Sequence, residues 1–330
     1  MTHPALLRMT APLREDFEIP YHDIGDCERP PKLALVAGVH GDELNGIFVL
    51  SRLANFLQAV HAGRHTGQTL SERVVIVPAV NLLGVNIGSR RWPFDSTDIN
   101  RMFPGYDAGE TTQRIAHAVL ELTRPAHYRV DLHSSNSHFE ECPQVRLYEP
   151  TEPERVTARL FGLPAVIELR MNKVFTSTLG HAWRTCGGEN FVIQGGQATV
   201  LDPGHCERLF RGLVAFLYRT GILRGRQLSA EDEDVHHFHI GQTLPLISEH
   251  AGFFVSRLEV GRWLQAGDVI GKVYDGFNGE QRHEIRAPVA GLLSGLRRQA
   301  LLFEGDLIAR IQSRQSVGEG VDTYLHGQGQ

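Results

Sequence analysis

The chain has 330 residues, 42% of them hydrophobic and 22% charged, so it is long enough for one large globular domain and a smaller one. Its formal net charge of −5 excludes the basic footprint of a nucleic-acid-binding protein and a basic membrane-binding surface. The N-terminal segment lacks the apolar region of a signal peptide, no apolar run approaches a membrane span, and the 4 cysteines contain no C-x-x-C pair, which favours a cytoplasmic protein with reduced thiols.

Strand-like and helix-like patterns alternate between residues 32 and 224. Short apolar runs predict strands at 33–37, 73–81, 128–133, 164–169 and 191–194. Apolar residues at helical spacing predict helices at 42–57, 111–122, 152–161, 177–185 and 206–221. Asp42 and Glu43 are expected in the first turn of the first helix, where the helix dipole favours acidic side chains. The alternation predicts an α/β fold with a mixed, largely parallel sheet and helices on both faces.

The pattern changes after Arg226. The polar, acidic stretch QLSAEDEDVHHF has the composition of a linker, and short apolar strands separated by glycines follow it. Segments 251–273 and 290–311 resemble one another, since each opens with Ala-Gly and closes with Gly-Asp and two aliphatic residues. This internal repeat predicts a small two-fold β sandwich. The expected organisation is an α/β domain at 1–226, a β domain at 227–312 and a flexible tail at 313–330.

A histidine and a glutamate follow the first apolar strand, in the stretch LALVAGVHGDELNG. An isolated H-x-x-E is explained by a strand that ends in a polar turn, whereas a metal site needs a third ligand. His133 ends another predicted strand, and ligands of open α/β sheets bind at the carboxyl ends of strands. His40, Glu43 and His133 can therefore converge as a zinc site with an open position for water. Asp131 lies on the same strand face as His133 and is a candidate hydrogen-bond partner for it.

The polar run TDINRMFPG, residues 97–105, follows the second strand. Arg101 in this run has the fork of donors that clamps a carboxylate, and Asn100 can support it or donate to a carbonyl group. The alternative is an arginine in a surface salt bridge.

Three motifs, in order, carry a resemblance to a known family. G-x-H-G-D-E (38–43), D-x-N-R-x-F-P-G (98–105) and D-L-H (131–133) resemble the succinylglutamate desuccinylase/aspartoacylase family, which belongs to the zinc carboxypeptidase-like hydrolases. The similarity runs across most of the chain. The segments GDVIG and IRAPVAGLL are similar to the family's C-terminal β domain, which is of a barrel-sandwich type.

The resemblance implies one zinc ion per chain, with the ligands His40, Glu43 and His133. It further implies that Asn100 and Arg101 bind the carboxylate or carbonyl region of the substrate. Arg90 and Arg91 lie close to this substrate loop in sequence and are expected to add positive charge for an acidic acyl amino acid, although their match to the family is loose.

One position departs from the family pattern, in which a glutamate near the end of a later strand acts as general base. The matching stretch here is FVIQGG, which places Gln194 where the glutamate is expected. A neutral amide can position a water molecule but cannot take its proton. Glu189, five residues earlier, is the first candidate replacement if its loop folds inward, and Glu168 and Asp202 are weaker candidates.

The leading functional hypothesis is a zinc-dependent hydrolase that cleaves the amide bond of a small N-acyl amino acid. A non-catalytic zinc- or ligand-binding relative is the alternative because of Gln194, and a carboxypeptidase-like peptidase is the second alternative. The expected partner is a small-molecule acylated amino acid, with no nucleic acid or membrane, and a homo-oligomer is left open. The histidines of the run HHFH, at 236, 237 and 239, could suggest a second metal site, but they follow a polar stretch with no nearby acidic partner at ligand spacing and are expected to form a solvated cluster.

Overall fold

The computed structural model describes residues 4–10, 16–171, 173–225 and 234–316. Of the predicted linker at 227–238, residues 227–233 lie outside these ranges, whereas His236–Phe238 form a strand; of the predicted tail at 313–330, the residues beyond 316 lie outside them. The helices are α1 (Leu44–His61), α2 (Leu82–Ile87), α3 (Thr111–Thr123), α4 (Glu152–Ala158), α5 (Leu179–Arg184) and α6 (Pro203–Arg219). Short 3₁₀ turns occupy Ile99–Arg101, Arg159–Phe161 and Lys173–Ser177.

The strands follow in chain order. In the first part of the chain they are β1 (Ala5–Met9), β2 (Phe17–Pro20), β3 (His22–Ile24), β4 (Leu33–Ala37), β5 (Gln68–Leu70), β6 (Val74–Val77), β7 (Tyr128–Ser135), β8 (Phe139–Tyr148), β9 (Ala165–Leu169), β10 (Glu189–Gln197) and β11 (Leu223–Gly225). The last part contributes β12 (His236–Phe238), β13 (Thr243–Ile247), β14 (Gly252–Val255), β15 (Trp263–Leu264), β16 (Val269–Tyr274), β17 (Gln281–Arg286), β18 (Gly291–Arg297), β19 (Leu301–Leu302) and β20 (Leu307–Gln312).

A mixed sheet of 12 strands forms the frame of the molecule, with the main order β13-β20-β18-β8-β10-β7-β4-β6-β3. Its centre, β10-β7-β4-β6, is parallel. Strand β8 runs antiparallel to β10 and carries both β9 and β18 on its other edge. The predicted α/β class is therefore confirmed. The carboxyl ends of β4, β7 and β10 meet at one rim, because the three strands are parallel neighbours.

Helices cover both faces of this sheet, as predicted. Strand β4 shows why: Leu33 and Leu35 point into a core that contains the apolar sides of α1 and α6, whereas Val36 points into a second core with α3 and α5. A strand buried on both faces reads as a continuous apolar run, since alternate side chains enter different cores. On β7, Val130 and Leu132 fill the first core, so Asp131 and His133 face the opposite side.

The sequence patterns miss β8. Its residues FEECPQVRLY include two glutamates and a proline, which hide the alternation of a strand. The register with β10 shifts between the pairs Gln194↔Gln144 and Gly196↔Glu141, so Pro143 lies at an irregularity. The buried charge of Glu141 is compensated by Arg146 and Arg310, which are recognisable as partners only in the folded chain.

All elements described between residues 234 and 316 are strands. The two similar segments behave as equivalents: β14 pairs with β16 in the first, and β18 pairs with β20 in the second. Their short strands are exchanged, because β15 pairs with β18 and β19 pairs with β14. One small core contains apolar side chains of both pairs, among them Phe254, Val273, Leu293 and Ile311. Through β18 this all-β region also extends the main sheet, which the repeat pattern does not predict.

No helix among the described residues has the length and apolar character needed to cross a membrane.

Candidate metal centre

The turn after β4 brings two polar side chains to the rim of the sheet. Gly38 has a φ of +61°, in the left-handed region that favours glycine. A Cβ atom on Gly41 would lie 2.3 Å from the backbone carbon of Gly84, so the backbone of α2 can pack against the turn only because residue 41 is a glycine. The glycines of the G-x-H-G motif therefore set the backbone path, and His40 and Glu43 supply the chemistry.

Glu43 occupies the N-cap position of α1, so the prediction that it lies in the first helical turn is wrong. Its side chain does not cap the helix. Instead, its buried carboxylate accepts hydrogen bonds from the backbone N–H of Ser134, at 3.1 Å, and from Arg90 Nη1, at 3.0 Å. The carboxylate is thereby turned from its own helix toward the end of β7.

Two histidines hold this carboxylate between them. His40 Nδ1 lies 2.7 Å from Glu43 Oε1, and His133 Nδ1 lies 2.8 Å from Glu43 Oε2. The other ring nitrogen of each histidine contacts a second carboxylate: His40 Nε2 is 3.1 Å from Asp98 Oδ1, and His133 Nε2 is 2.8 Å from Asp131 Oδ2. Both imidazoles therefore have the same orientation, with Nδ1 toward Glu43 and Nε2 toward an aspartate.

The electrostatics of the cluster favour charged groups despite burial. Burial alone raises the pKa of Glu43, but the charges of His40 and His133 hold it well below its usual value. Burial alone lowers the pKa of His133, yet Asp131 and Glu43 raise it to about 10. Burial alone also raises the pKa of Asp98, but the hydrogen bond with His40 outweighs this effect and lowers the pKa below its usual value.

The donor set fits a zinc ion. One ligand atom from each of His40, Glu43 and His133 can be chosen so that all lie within 4.8 Å of one another. Two imidazoles and one carboxylate are a common zinc set in hydrolytic sites. Each imidazole can donate its Nε2–H to an aspartate, which leaves Nδ1 to bind a metal and raises the basicity of that ligand. The buried Oδ1 of Asp131 has no hydrogen-bond partner among the described residues. No hydrogen bond to Oδ1 would therefore oppose a movement of this carboxylate together with the His133 ring when Nδ1 binds a metal.

A cavity of about 530 Å³ opens beside the cluster. The predicted substrate residues Asn100 and Arg101 both line it. Asn100 Oδ1 accepts a hydrogen bond from the backbone N–H of Leu179, at 3.0 Å, so its amide NH₂ is the group left to donate. Arg101 Nη1 donates to the carbonyl of Asn100, at 3.0 Å, which fixes the guanidinium beside the cavity.

The all-β region contributes a side chain to the same cavity. Arg310, on β20, contacts the carboxylate of Glu141 on β8, and Arg146 contacts the same oxygen. The second oxygen of Glu141 is buried without a partner among the described residues. Two guanidinium groups on one carboxylate leave a net positive charge in this wall of the cavity, which suits an anionic group of a ligand.

Gln194 also lines the cavity. It is paired in register with His133 on the neighbouring parallel strand, so both side chains leave the sheet on the same face. On its other side it is paired with Gln144 of β8. The structure therefore puts a neutral amide, 7% exposed, one strand away from the histidine of the cluster.

The carboxylates considered as replacements for the base lie elsewhere. Glu189 begins β10, five residues before Gln194, so along an extended strand it is about 16 Å away. It is 3.4 Å from His127 and does not line the described cavity. Asp202 caps α6 by accepting from the backbone N–H of His205, at 2.7 Å. Glu168, on β9, pairs with Arg155 of α4 and does not line the described cavity either. The structure brings none of these three to the His40–Glu43–His133 cluster.

Of the two neighbouring arginines, Arg90 lies at the cavity and Arg91 does not. Arg90 contacts Glu43 and lines the cavity, whereas Arg91 donates to the carbonyl of Ser96, at 3.4 Å, and is not among the described lining residues. Asp98 is a further residue of the site, and no role was predicted for it from the sequence. Its position in the D-x-N-R motif is the sequence feature that could have indicated one. No local sequence pattern indicates that Arg146 and Arg310 line the cavity.

The expectation of a solvated HHFH cluster is wrong. His236–Phe238 form β12, which pairs in parallel with β9. His237 and His239 both contact Glu168, from which they are separated by 69 and 71 residues in the chain. The local sequence does not indicate the acidic partner, Glu168, because it is brought to the histidines by the pairing of β12 with β9.

The arrangement matches known proteins in sequence and fold. Residues 29–218 match the family model for the succinylglutamate desuccinylase/aspartoacylase catalytic domain. The N-alpha-acetyl-L-2,4-diaminobutyric acid deacetylase of Halomonas elongata is 30% identical over 296 residues, which cover 85% of this chain and 82% of the relative.

Two solved structures illustrate the similarity in fold. A succinylglutamate desuccinylase/aspartoacylase from Rhodobacter sphaeroides has a TM-score of 0.73 at 22% identity, covering 93% of this chain and 94% of the other. The product-bound ectoine utilization protein EutE (DoeB) from Ruegeria pomeroyi has a TM-score of 0.72 at 24% identity, covering 90% of each chain.

Proposed function

Because the chain belongs to the succinylglutamate desuccinylase/aspartoacylase family, we propose that it is a zinc-dependent hydrolase of a small N-acyl amino acid. The similarity to deacylases supports cleavage of an amide bond. The observation that carries the proposal is the buried His40–Glu43–His133 cluster in the wall of a cavity large enough for such a substrate. One metal ion would be held there by both Nδ1 atoms and the Glu43 carboxylate.

When bound, zinc polarises a carbonyl group and lowers the pKa of water, which are the two requirements for hydrolysing an amide at neutral pH. The chain supplies the positioning. Asp98 and Asp131 fix the two imidazole rings through their Nε2 atoms. Arg90 donates to Glu43 at 3.0 Å and orients that carboxylate.

The residues on the other side of the cavity would hold the substrate. Arg101 would bind the carboxylate of the amino acid through paired hydrogen bonds, and the amide NH₂ of Asn100 would donate to a carbonyl oxygen. Arg310 would add a wall to the cavity from the all-β region, which would leave less room for a long peptide. This enclosure favours a small acyl amino acid over the substrate of a carboxypeptidase-like peptidase.

An acetyl group is the first acyl group to test. The Halomonas elongata relative is named for the removal of acetyl from an N-alpha-acetylated diamino acid, and it aligns with most of this chain. A succinyl group is the second, because the family name includes desuccinylases and because Arg146 and Arg310 leave positive charge in the cavity wall.

A second candidate function rests on Gln194. The position beside His133 holds an amide that cannot accept a proton from water, so the chain would be a ligand-binding relative with little or no turnover. In that case zinc and an acyl amino acid would bind without hydrolysis.

One experiment separates the two functions. The zinc-loaded protein is incubated with N-acetyl and N-succinyl amino acids, N-acetyl-2,4-diaminobutyrate included, and release of the free amine is measured. Turnover that is lost in His40→Ala and His133→Ala, together with one zinc ion per chain, supports the hydrolase. Binding by calorimetry without amine release supports the ligand-binding relative. Full retention of zinc in both variants would contradict the metal centre itself.

A further inference from the structure

A second group of metal-ligand side chains lies outside the cavity. Glu168 is on β9 and His237 is on β12, and His239 is the first residue after β12. His237 and His239 are two positions apart on extended chain, so both side chains face the same side. His237 Nε2 is 2.8 Å and His239 Nδ1 is 2.9 Å from the same oxygen, Glu168 Oε1. The two imidazole rings stack with centroids 4.8 Å apart.

This group repeats the chemistry of the first cluster. In both, two imidazole nitrogens converge on one buried carboxylate, and one ligand atom from each residue lies within 4.8 Å of the others. The side chain of Glu168 is 3% exposed and that of His237 is 6% exposed, whereas His239 is 65% exposed. The group is thus anchored in the protein and open on one side, toward a surface cavity of about 340 Å³.

We propose that Glu168, His237 and His239 form a second site for a divalent metal ion of the zinc type. The ligands would be the three atoms that already converge, and water would complete the coordination from the open side. The ion would join β12 to β9, and so would fasten the first strand of the all-β region to the α/β domain. Its role is structural, since none of the three residues lines the catalytic cavity among the residues described.

The neighbouring charges predict that this site is the weaker of the two. Each histidine of the first cluster is backed by an aspartate. Glu168 instead accepts from Arg155, whose Nε is 3.0 Å from Oε1 and whose Nη2 is 3.3 Å from Oε2. The guanidinium orients the carboxylate but also neutralises part of its charge, which lowers the attraction for a cation. A chelator is therefore expected to remove zinc from this site first.

Counting zinc in the full-length protein tests the proposal. After loading with zinc and gel filtration, elemental analysis is expected to find about two ions per chain in the wild type and about one in His239→Ala. His239 is largely exposed, so its removal leaves the core intact. His236→Ala is the matched control, since this histidine belongs to the same strand but packs against Trp263, with ring centroids 4.9 Å apart. It should keep the wild-type zinc content.

A second measurement separates this site from the catalytic one. In the double variant His40→Ala, His133→Ala, added zinc should still bind at about one ion per chain and raise the melting temperature, and adding His239→Ala should abolish both effects. Equal zinc content in the wild type and His239→Ala would overturn the proposal, as would a double variant that neither binds zinc nor gains stability from it. Neither of these results depends on deacylase activity.

Discussion

Replacing Gln194 by glutamate tests whether this position is that of the general base. The side chain is buried beside His133, whose Cα lies about one strand spacing, roughly 4.8 Å, away. A carboxylate placed there can take a proton from water, and general-base catalysis contributes about 10²–10⁴-fold to rates, or about 3–5 kcal/mol of barrier. We therefore expect kcat of the zinc-loaded Gln194→Glu protein to rise by at least about 10²-fold.

The same change has a cost that can be measured separately. The new charge would stand in the wall of the cavity that Glu43 and Asp131 also line. Two like charges about 6 Å apart repel by about 3 kcal/mol at an effective dielectric constant of 20. Without zinc, the melting temperature of Gln194→Glu should fall below that of the wild type. Zinc should restore most of the difference, because its charge offsets the repulsion.

Gln144→Glu is the matched control. Gln144 is the partner of Gln194 on β8, equally buried and one strand further from His133. It adds the same charge but does not line the cavity beside the His40–Glu43–His133 cluster, so it should give no gain in kcat. The assay is amine release from the best acyl amino acid under saturating zinc. A folded, zinc-loaded Gln194→Glu protein with unchanged kcat would refute the assignment of Gln194 to the base position.

Three further changes test the metal support and the substrate side of the cavity. Asp131→Asn should raise the zinc dissociation constant about 10–100-fold in competition with a chromophoric chelator, because His133 loses a charged partner; equal affinity would show that Asp131 gives no support. Arg101→Lys keeps the charge but loses the paired geometry, and kcat/KM should fall by the equivalent of about 1–3 kcal/mol; an unchanged value would place Arg101 outside the site. Arg310→Met should raise KM for succinyl substrates more than for acetyl substrates, and the same rise for both would argue against an anionic pocket.

The local sequence was sufficient for elements whose determinants lie within one segment. Strand β4 is recognisable because five consecutive buried residues are all apolar, and α3 because its apolar positions recur at helical spacing. The same holds for His40 and Glu43, whose turn depends on adjacent glycines. Strand β8 could not be recognised in this way, since its buried Glu141 is compensated by Arg146 of the same strand and by Arg310 of β20, and Glu140 pairs with the distant Arg298.

The sequence alone was enough to predict the alternating strands and helices of the α/β part, except β8, because residue type and short-range periodicity decide these elements. It also supplied the three metal-ligand candidates and the glutamine at position 194, through motifs that resemble those of the family. The folded chain is needed to show that Asp98 contacts His40, that Arg310 reaches the cavity from β20, and that Glu168 contacts His237 and His239. Those contacts join residues far apart in sequence, and the physical reason is strand pairing: the register of β12 on β9 and the extension of the main sheet by β18 set which side chains become neighbours.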